Sequence, residues 1–200
     1  MKRIFDIIFS LCAMICFLPL GILIAIFIKI TSVGPVFYSS KRVGKDGATI
    51  YCWKFRTMCL NADQMLADIL AQDPVLRLEW DTYYKLKDDP RISSVGRFLR
   101  KTSLDEFPQF WNVLRGDLSV VGPRPVTEEE IQKYFGAKAS KILSVRPGLT
   151  GIWQTSGRNL LTFEERLRLE ESYIDKQSLS LDLQIICKTI PAIFLSKGAF

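Results

Sequence analysis

RFLRKTSLDEFPQFWNVLRGDLSVVGPRP, residues 97–125, sets two adjacent carboxylates, Asp105 and Glu106, in a segment whose cations are Arg97, Arg100, Lys101, Arg115 and Arg124. Carboxylates among cations suit a site that handles phosphate: one can attack phosphorus while the other holds a divalent metal that screens its charge. Leu104, Phe107, Phe110, Trp111 and Leu114 recur at three- and four-residue spacing, which predicts one helix over 104–114 with a single buried face. Thr102 and Ser103 stand ahead of it as helix-starting residues. The acid pair is therefore expected near a helix N-terminus, where the dipole favours anions. Gly122-Pro123-Arg124-Pro125 cannot be a helix interior, because its two prolines hold it extended or turning. It reads as a rigid loop aiming Arg124. An Asp-Glu dipeptide alone also fits an ordinary helical first turn, so the rest of the chain has to decide.

The 200 residues are 48% hydrophobic and 24% charged, which suits one domain with a real core. A net charge of +6 favours anionic partners: nucleotide sugars, lipid phosphates, an acidic membrane surface or nucleic acid. The five cysteines (Cys12, Cys16, Cys52, Cys59, Cys187) are odd in number and lack a paired CxxC layout, which argues against a disulfide framework or a zinc site. The sequence has no histidine. That excludes Ser-His and Cys-His machinery and leaves carboxylates, lysines, arginines or metal to do any chemistry.

From position 7 to 28 the chain carries no charge. As a straight helix this segment would reach roughly 33 Å, long enough to span a bilayer. Pro19, followed by Leu20 and Gly21, sits in its middle and would kink or break such a helix. Lys2 and Arg3 precede the segment and Lys29 follows it, so positive charge does not separate its ends across a membrane. These features agree with a segment that turns back, and an ordinary kinked transmembrane helix stays open as the alternative. A cleaved signal peptide fits poorly, since the apolar run is too long and Asp6 intrudes near its start. Cys12 and Cys16 read as small packing residues.

Beyond the hairpin, two short strands around the 44–47 turn predict a β-hairpin, made basic by Lys41, Arg42, Lys54 and Arg56. Next to a phosphate site such residues are candidate clamps. Residues 61–78 carry helical spacing interrupted at Asp73-Pro74. Arg146-Pro147-Gly148 repeats the rigid-loop logic of the 122–125 segment, and a glycine-flanked loop over 151–159 carries Arg158. Residues 162–173 read as a charged support helix. Residues 179–194 are strongly apolar but broken by Asp182, Gln184, Lys188 and Pro191, which predicts a helix lying in the headgroup plane. The expected fold is α+β: a re-entrant membrane hairpin over 1–30, then a small mixed cytoplasmic domain over 31–200 with a β-hairpin and interfacial amphipathic helices.

The 97–125 stretch closely resembles the core motif of the bacterial sugar transferases, monotopic phosphoglycosyl transferases that act on polyprenyl phosphate. GPVFYSSKRVG (34–44), WKFRTM (53–58), KLKDDPRIS (85–93) and VRPGLTGIWQTSGRN (145–159) extend the resemblance over nearly the whole chain. It implies that Asp105 attacks the β-phosphate of a UDP-sugar, releasing UMP and leaving an aspartyl phosphosugar that polyprenyl (undecaprenyl) phosphate then captures. A carboxylate and a phosphate are both ionised at neutral pH, so this route needs no histidine base. It further implies Glu106 as Mg²⁺ ligand, Arg100 and Arg124 as the leading phosphate clamps, and Lys54, Arg56, Arg146, Arg158 and Asp182 as further substrate-binding candidates. The 61–89 region resembles that of hexose-1-phosphate transferases, which points to galactose or glucose. The implied setting is the cytoplasmic face of the bacterial inner membrane, among membrane lipids, with room for a homodimer and no nucleic acid, in a pathway of surface glycan synthesis. Phe107, Leu118 and Glu170 depart from the family pattern; the first two are apolar swaps, and Glu170 stands where relatives often have Asp. Two alternatives stay open: direct transfer without the covalent step, and a membrane-anchored basic binding protein without activity.

Overall fold

The computed structural model describes residues 1–83, 86–156 and 161–195. Helix α1, Lys2–Thr31, is one continuous element with Pro19 inside it, so the break expected there is not shown. At about 1.5 Å per residue it would reach roughly 45 Å. Only one stripe of it is covered by protein. Asp6, Ser10, Ile24 and Ile28 are buried, whereas Ile4, Ile8, Leu11, Ile15, Leu18, Ile22, Ile26 and Ile30 are exposed. An apolar surface of that size calls for lipid rather than water.

The covered stripe touches the body from one end of α1 to the other. Arg3 donates to Val113 O (2.5 Å) and Leu114 O (2.8 Å). Phe9 lies 6.3 Å from Phe110, and Phe17 lies 5.5 Å from Phe107, between ring centroids. Ile24 and Ile28 pack with Phe55 and Leu99. Just past the helix, Arg56 donates to Ser32 O (2.9 Å) and Val33 O (2.6 Å).

The expected β-hairpin is present. β1, Phe37–Val43, pairs antiparallel with β2, Thr49–Phe55, in a register from Phe37↔Phe55 to Val43↔Thr49. The strands are joined through a 3-10 turn, Lys45–Gly47. Period-two alternation puts Ile50 and Cys52 into the core, and Lys54 follows on the same face. α2 (Ala62–Gln72) and α3 (Pro74–Tyr83) replace one long helix, because Asp73-Pro74 interrupts it as expected. α4, Ser94–Thr102, starts where the Ser93 hydroxyl accepts from Gly96 N (2.9 Å).

The helix predicted over 104–114 is split. Leu104–Glu106 forms a 3-10 turn, and α5 begins afresh at Gln109 and runs to Arg115. Pro108 has no amide hydrogen to continue an α-helical ladder, which accounts for the interruption. Ser103 is thus the left-handed cap ending α4, at φ 57, and leads, without a side-chain capping bond, only into the short 3-10 turn. The acid pair consequently has no long helix dipole behind it.

The second half is built around two short strands that the sequence reading missed. β3, Ser119–Val121, lies parallel to β4, Gly148–Thr150. The 122–125 and 146–148 segments, read separately as loops, interlock here: Ser119 N donates to Pro147 O (2.8 Å), Gly148 N to Pro123 O (2.7 Å) and Gly122 N to Thr150 O (3.0 Å). A Cβ on Gly148 would collide with the backbone of Gly122, so the close crossing requires glycine. α6 (Glu128–Glu130), a π-turn (Ile131–Phe135), a 3-10 turn (Gly136–Lys138), α7 (Ala139–Ile142) and α8 (Ile152–Thr155) wrap this crossing. α9, Phe163–Lys176, opens with a capping box between Thr162 and Glu165. α10, Leu179–Leu195, buries Asp182 and Ile185 while exposing Leu179, Leu183 and Ile190, the two-faced pattern expected of an interfacial helix.

Candidate active site

Asp105 and Glu106 sit in the tight turn between α4 and α5. The left-handed Ser103 just before them costs on the order of 1 kcal/mol for a non-glycine residue and redirects the chain so that the pair faces the β-hairpin. Asp105 is buried and accepts no hydrogen bond from another residue among those described. Burial pushes its carboxyl up to about 6, although Lys54 and Arg100 pull the other way while Glu106 adds to the rise. Glu106 is the contrasting partner. Burial would raise it too, but Lys54, Arg124 and Arg42 outweigh burial and hold it below the usual carboxylate range. Lys54 Nζ lies 2.7 Å from Glu106 Oε1. Two neighbouring acids whose environments separate their affinities for protons form a division of labour: one permanently ionised, one poised near neutrality.

Four elements supply the surrounding cations. β1 and β2 bring Arg42 and Lys54. α4 brings Arg100, whose Nε donates to Thr57 Oγ1 at 3.0 Å. The 122–125 loop brings Arg124, whose charge acts on Glu106. Arg124 also lies 5.3 Å from the Trp153 ring centroid, and its backbone N–H donates to Glu170 Oε1 at 3.2 Å.

Three of the sequence-derived candidates are engaged elsewhere. Arg56 is buried, tying its guanidinium to the carbonyls that end α1. Arg146 donates through Nε to Gly116 O (2.8 Å), at the far end of α5. Asp182 accepts from Lys2 Nζ (2.7 Å) and Tyr173 OH (2.7 Å), fastening the start of α1 to α9 and α10. Arg158 lies outside the described residues.

Sequence reasoning missed four residues that shape the site. Asn112, fully buried, accepts from Trp53 N (2.9 Å) and donates to Tyr51 O (2.7 Å) and Asp117 Oδ2 (3.0 Å). This staple holds α5 to β2 and so brings Lys54 to Glu106. Trp153, Arg166 and Glu170 gather around Arg124. The helix carrying the last two, read as surface support, is therefore part of the site's wall. A polar Asn within an apolar helical stripe was the available signal for Asn112; nothing in the spacing of α9 singled out Arg166.

No group of three or more metal-ligating side chains gathers among the described residues, so Glu106 is the one candidate carboxylate and a magnesium ion there would need water and substrate to complete its shell. Glu106 Oε2 takes no hydrogen bond among the described residues, and hard carboxylate oxygens with water and substrate phosphates are what that ion prefers.

A family model described as bacterial sugar transferase matches residues 1–196. The chain belongs to the bacterial sugar transferase family. Exopolysaccharide production protein ExoY of Sinorhizobium fredii is 45% identical over 199 residues, covering 100% of this transferase and 88% of that protein. The UDP-galactose-lipid carrier transferase of Erwinia amylovora is 44% identical over 200 residues and the undecaprenyl-phosphate galactose phosphotransferase of Salmonella typhimurium 43% over 201. The transferase is covered completely in both alignments but spans only 42% of each of those two longer proteins.

Proposed function

We propose that this transferase moves a hexose 1-phosphate, galactose or glucose, from a UDP-sugar to polyprenyl phosphate. The observation that carries the reading is the buried Asp105 carboxylate, which accepts no hydrogen bond from another described residue, beside a Glu106 held ionised by Lys54, within a chain of this family. In the first step an Asp105 oxygen bonds to the β-phosphorus, the bond from that phosphorus to the bridging oxygen breaks, and UMP leaves with the electron pair. In the second, an oxygen of polyprenyl phosphate bonds to the same phosphorus and the Asp105 carboxylate departs, giving polyprenyl diphosphosugar. An aspartate with its affinity for protons raised to about 6 is still mostly ionised at pH 7, yet less stabilised and so more nucleophilic than one wrapped in donors. Lys54, Arg42, Arg100 and Arg124 offset the charge that collects when a carboxylate meets a diphosphate. Magnesium bound through Glu106 would add Lewis-acid screening of the phosphate oxygens.

Incubation with UDP-galactose or UDP-glucose and a short-chain polyprenyl phosphate tests the reaction through UMP release. Without acceptor, a covalent route releases UMP up to one equivalent of enzyme and labels the protein. Turnover with acceptor but neither signal without it would overturn the aspartyl intermediate in favour of direct transfer.

The same reading places both ends of α1 on the cytoplasmic face of the inner membrane, where UDP-sugars are available. Its support is that one body contacts α1 at Lys2, Arg3 and Asp6 and again at Ile24, Ile28 and Ser32, which a bilayer crossing between those points would forbid. Pro19 is where such a helix would bend to re-emerge. A single cysteine at the N-terminus of a cysteine-free variant should resist an impermeant reagent added from the periplasm; labelling there would sink the model.

A further inference from the structure

α9 carries two buried charged side chains, one turn apart, for which the reaction above has no use: Arg166 and Glu170. The Arg166 guanidinium lies 4.8 Å from the Trp153 ring centroid and 4.9 Å from that of Phe163. Arg124 lies 5.3 Å from the same indole. Two guanidiniums sharing one ring repel each other, and what offsets the repulsion is visible: the ring's own quadrupole, the Glu170 carboxylate, and Glu130, whose Oε1 is 3.7 Å from Arg166 NH1. Glu170 Oε1 meanwhile takes the backbone N–H of Arg124 at 3.2 Å. Glu170 Oε2, Arg166 Nε and Trp153 Nε1 are buried without a hydrogen-bond partner among the described residues. A cluster built only for stability would satisfy these atoms, because a buried polar atom left unpaired destabilises the fold.

We propose that Glu170 and Arg166 are positioning residues for Arg124: Glu170 fixes the loop backbone and Arg166 shares the indole, so that the Arg124 guanidinium is held ready for the donor diphosphate. This rests on the reading of Arg124 as a diphosphate clamp. The consequence is a proton-sensitive affinity for donor. Glu170 is faced by Arg124 from the loop and by Arg166 from its own helix, with Glu130 of α6 behind Arg166. Burial nevertheless pushes its carboxyl up to about 7. Protonation removes the charge between the two guanidiniums and frees them to move apart, so donor binding weakens as pH falls through 7. Loss of the Asp105 nucleophile near pH 6 acts separately, on kcat.

The full-length chain in detergent serves for the test, with UMP release measured against UDP-hexose concentration between pH 6 and 8.5 and UDP binding measured calorimetrically. Glu170→Gln keeps an acceptor for the Arg124 N–H and removes only the charge. It should raise KM and the Kd for UDP about tenfold at pH 8, leave kcat within about threefold, and abolish the weakening of binding between pH 8 and 6.5. Glu170→Asp should restore part of that pH dependence. Unchanged KM in Glu170→Gln, or a loss confined to kcat with a lowered melting temperature, would overturn the proposal. Should Glu170→Gln not fold, Arg166→Met takes its place, and wild-type affinity for UDP in that variant would equally overturn it. If the unmodified chain releases no UMP from any UDP-sugar, the reaction assignment fails; equal UDP affinity in wild type and Glu170→Gln would then count against the positioning role on its own.

Discussion

Asp182 and Asp105 are both buried aspartates in a small domain, and their surroundings treat them in opposite ways. Asp182 sits where the start of α1 meets α9 and α10, with Lys2 on one oxygen and Tyr173 on the other. Asp6, beside it in the same region, takes two contacts from Ser119 Oγ and one from Val120 N. Asp105 occupies a tight turn at the mouth of the β-hairpin and is offered its own backbone N–H and the charges of Lys54 and Arg100, but no hydrogen bond from another described residue. Buried charge that is fully bonded works as a fastener, whereas buried charge left short of donors stays reactive. Burial alone would not have separated the two regions.

The sharpest way to break this comparison is Asp105→Asn. UMP release should fall about 10³-fold or more, since an amide is neither charged nor a good nucleophile, while the melting temperature holds or rises because a poorly solvated charge is gone. Near-normal turnover would remove Asp105 from the chemistry. Lys54→Met comes next. Without the ammonium that favours the ionised form of both acids, Asp105 should titrate above 6 and turnover at pH 7 should drop about 10²-fold. A pH–rate profile would show the acid limb moving to higher pH; an unmoved limb would mean that Lys54 does not tune the nucleophile.

Asp182→Ala should do the reverse of Asp105→Asn. It strands Lys2 and Tyr173, costing about 3 kcal/mol by denaturant unfolding, with kcat of the folded fraction within about twofold. A selective loss of donor affinity would restore Asp182 to the substrate-binding set. The smallest effect is in stability against pH. Asp105 binds its proton more tightly folded than unfolded, so its contribution to stability is greatest below pH 4 and declines by about 2 kcal/mol as pH rises to 6, opposite in sign to the contributions of Asp89 and Glu106. Asp105→Asn should flatten that slope, and an unchanged slope would assign it to other groups.

The parts of the fold legible in sequence were those with local causes. The hairpin turn at 44–47, the Asp73-Pro74 interruption, the apolar run of α1 and the two-faced α10 each follow from a few neighbouring residues. The 104–114 helix failed as a reading because apolar periodicity outweighed a single missing amide at Pro108. β3 and β4 escaped notice because three-residue strands carry almost no pattern of their own and exist only as partners. Among site candidates, the Asp105–Glu106 pair, Lys54, Arg100 and Arg124 converge, whereas Arg56 and Arg146 bind backbone carbonyls and Asp182 binds Lys2 and Tyr173.

Sequence by itself determined which groups the chemistry has to draw on: no histidine, one Asp-Glu dipeptide set among cations, and arginines set in proline- and glycine-bound loops. Tertiary structure decided which of those groups meet. Arg56 and Lys54 are two residues apart on one chain, yet one closes off α1 and the other pairs with Glu106. Arg166 came into the account, and Glu170 acquired partners beyond its departure from the family pattern, only because α9 packs against α8 and the loop that holds Arg124. A side chain's charge is fixed by its identity, but its affinity for protons and its partners depend on burial and on neighbours far away in sequence, which only the folded chain brings together.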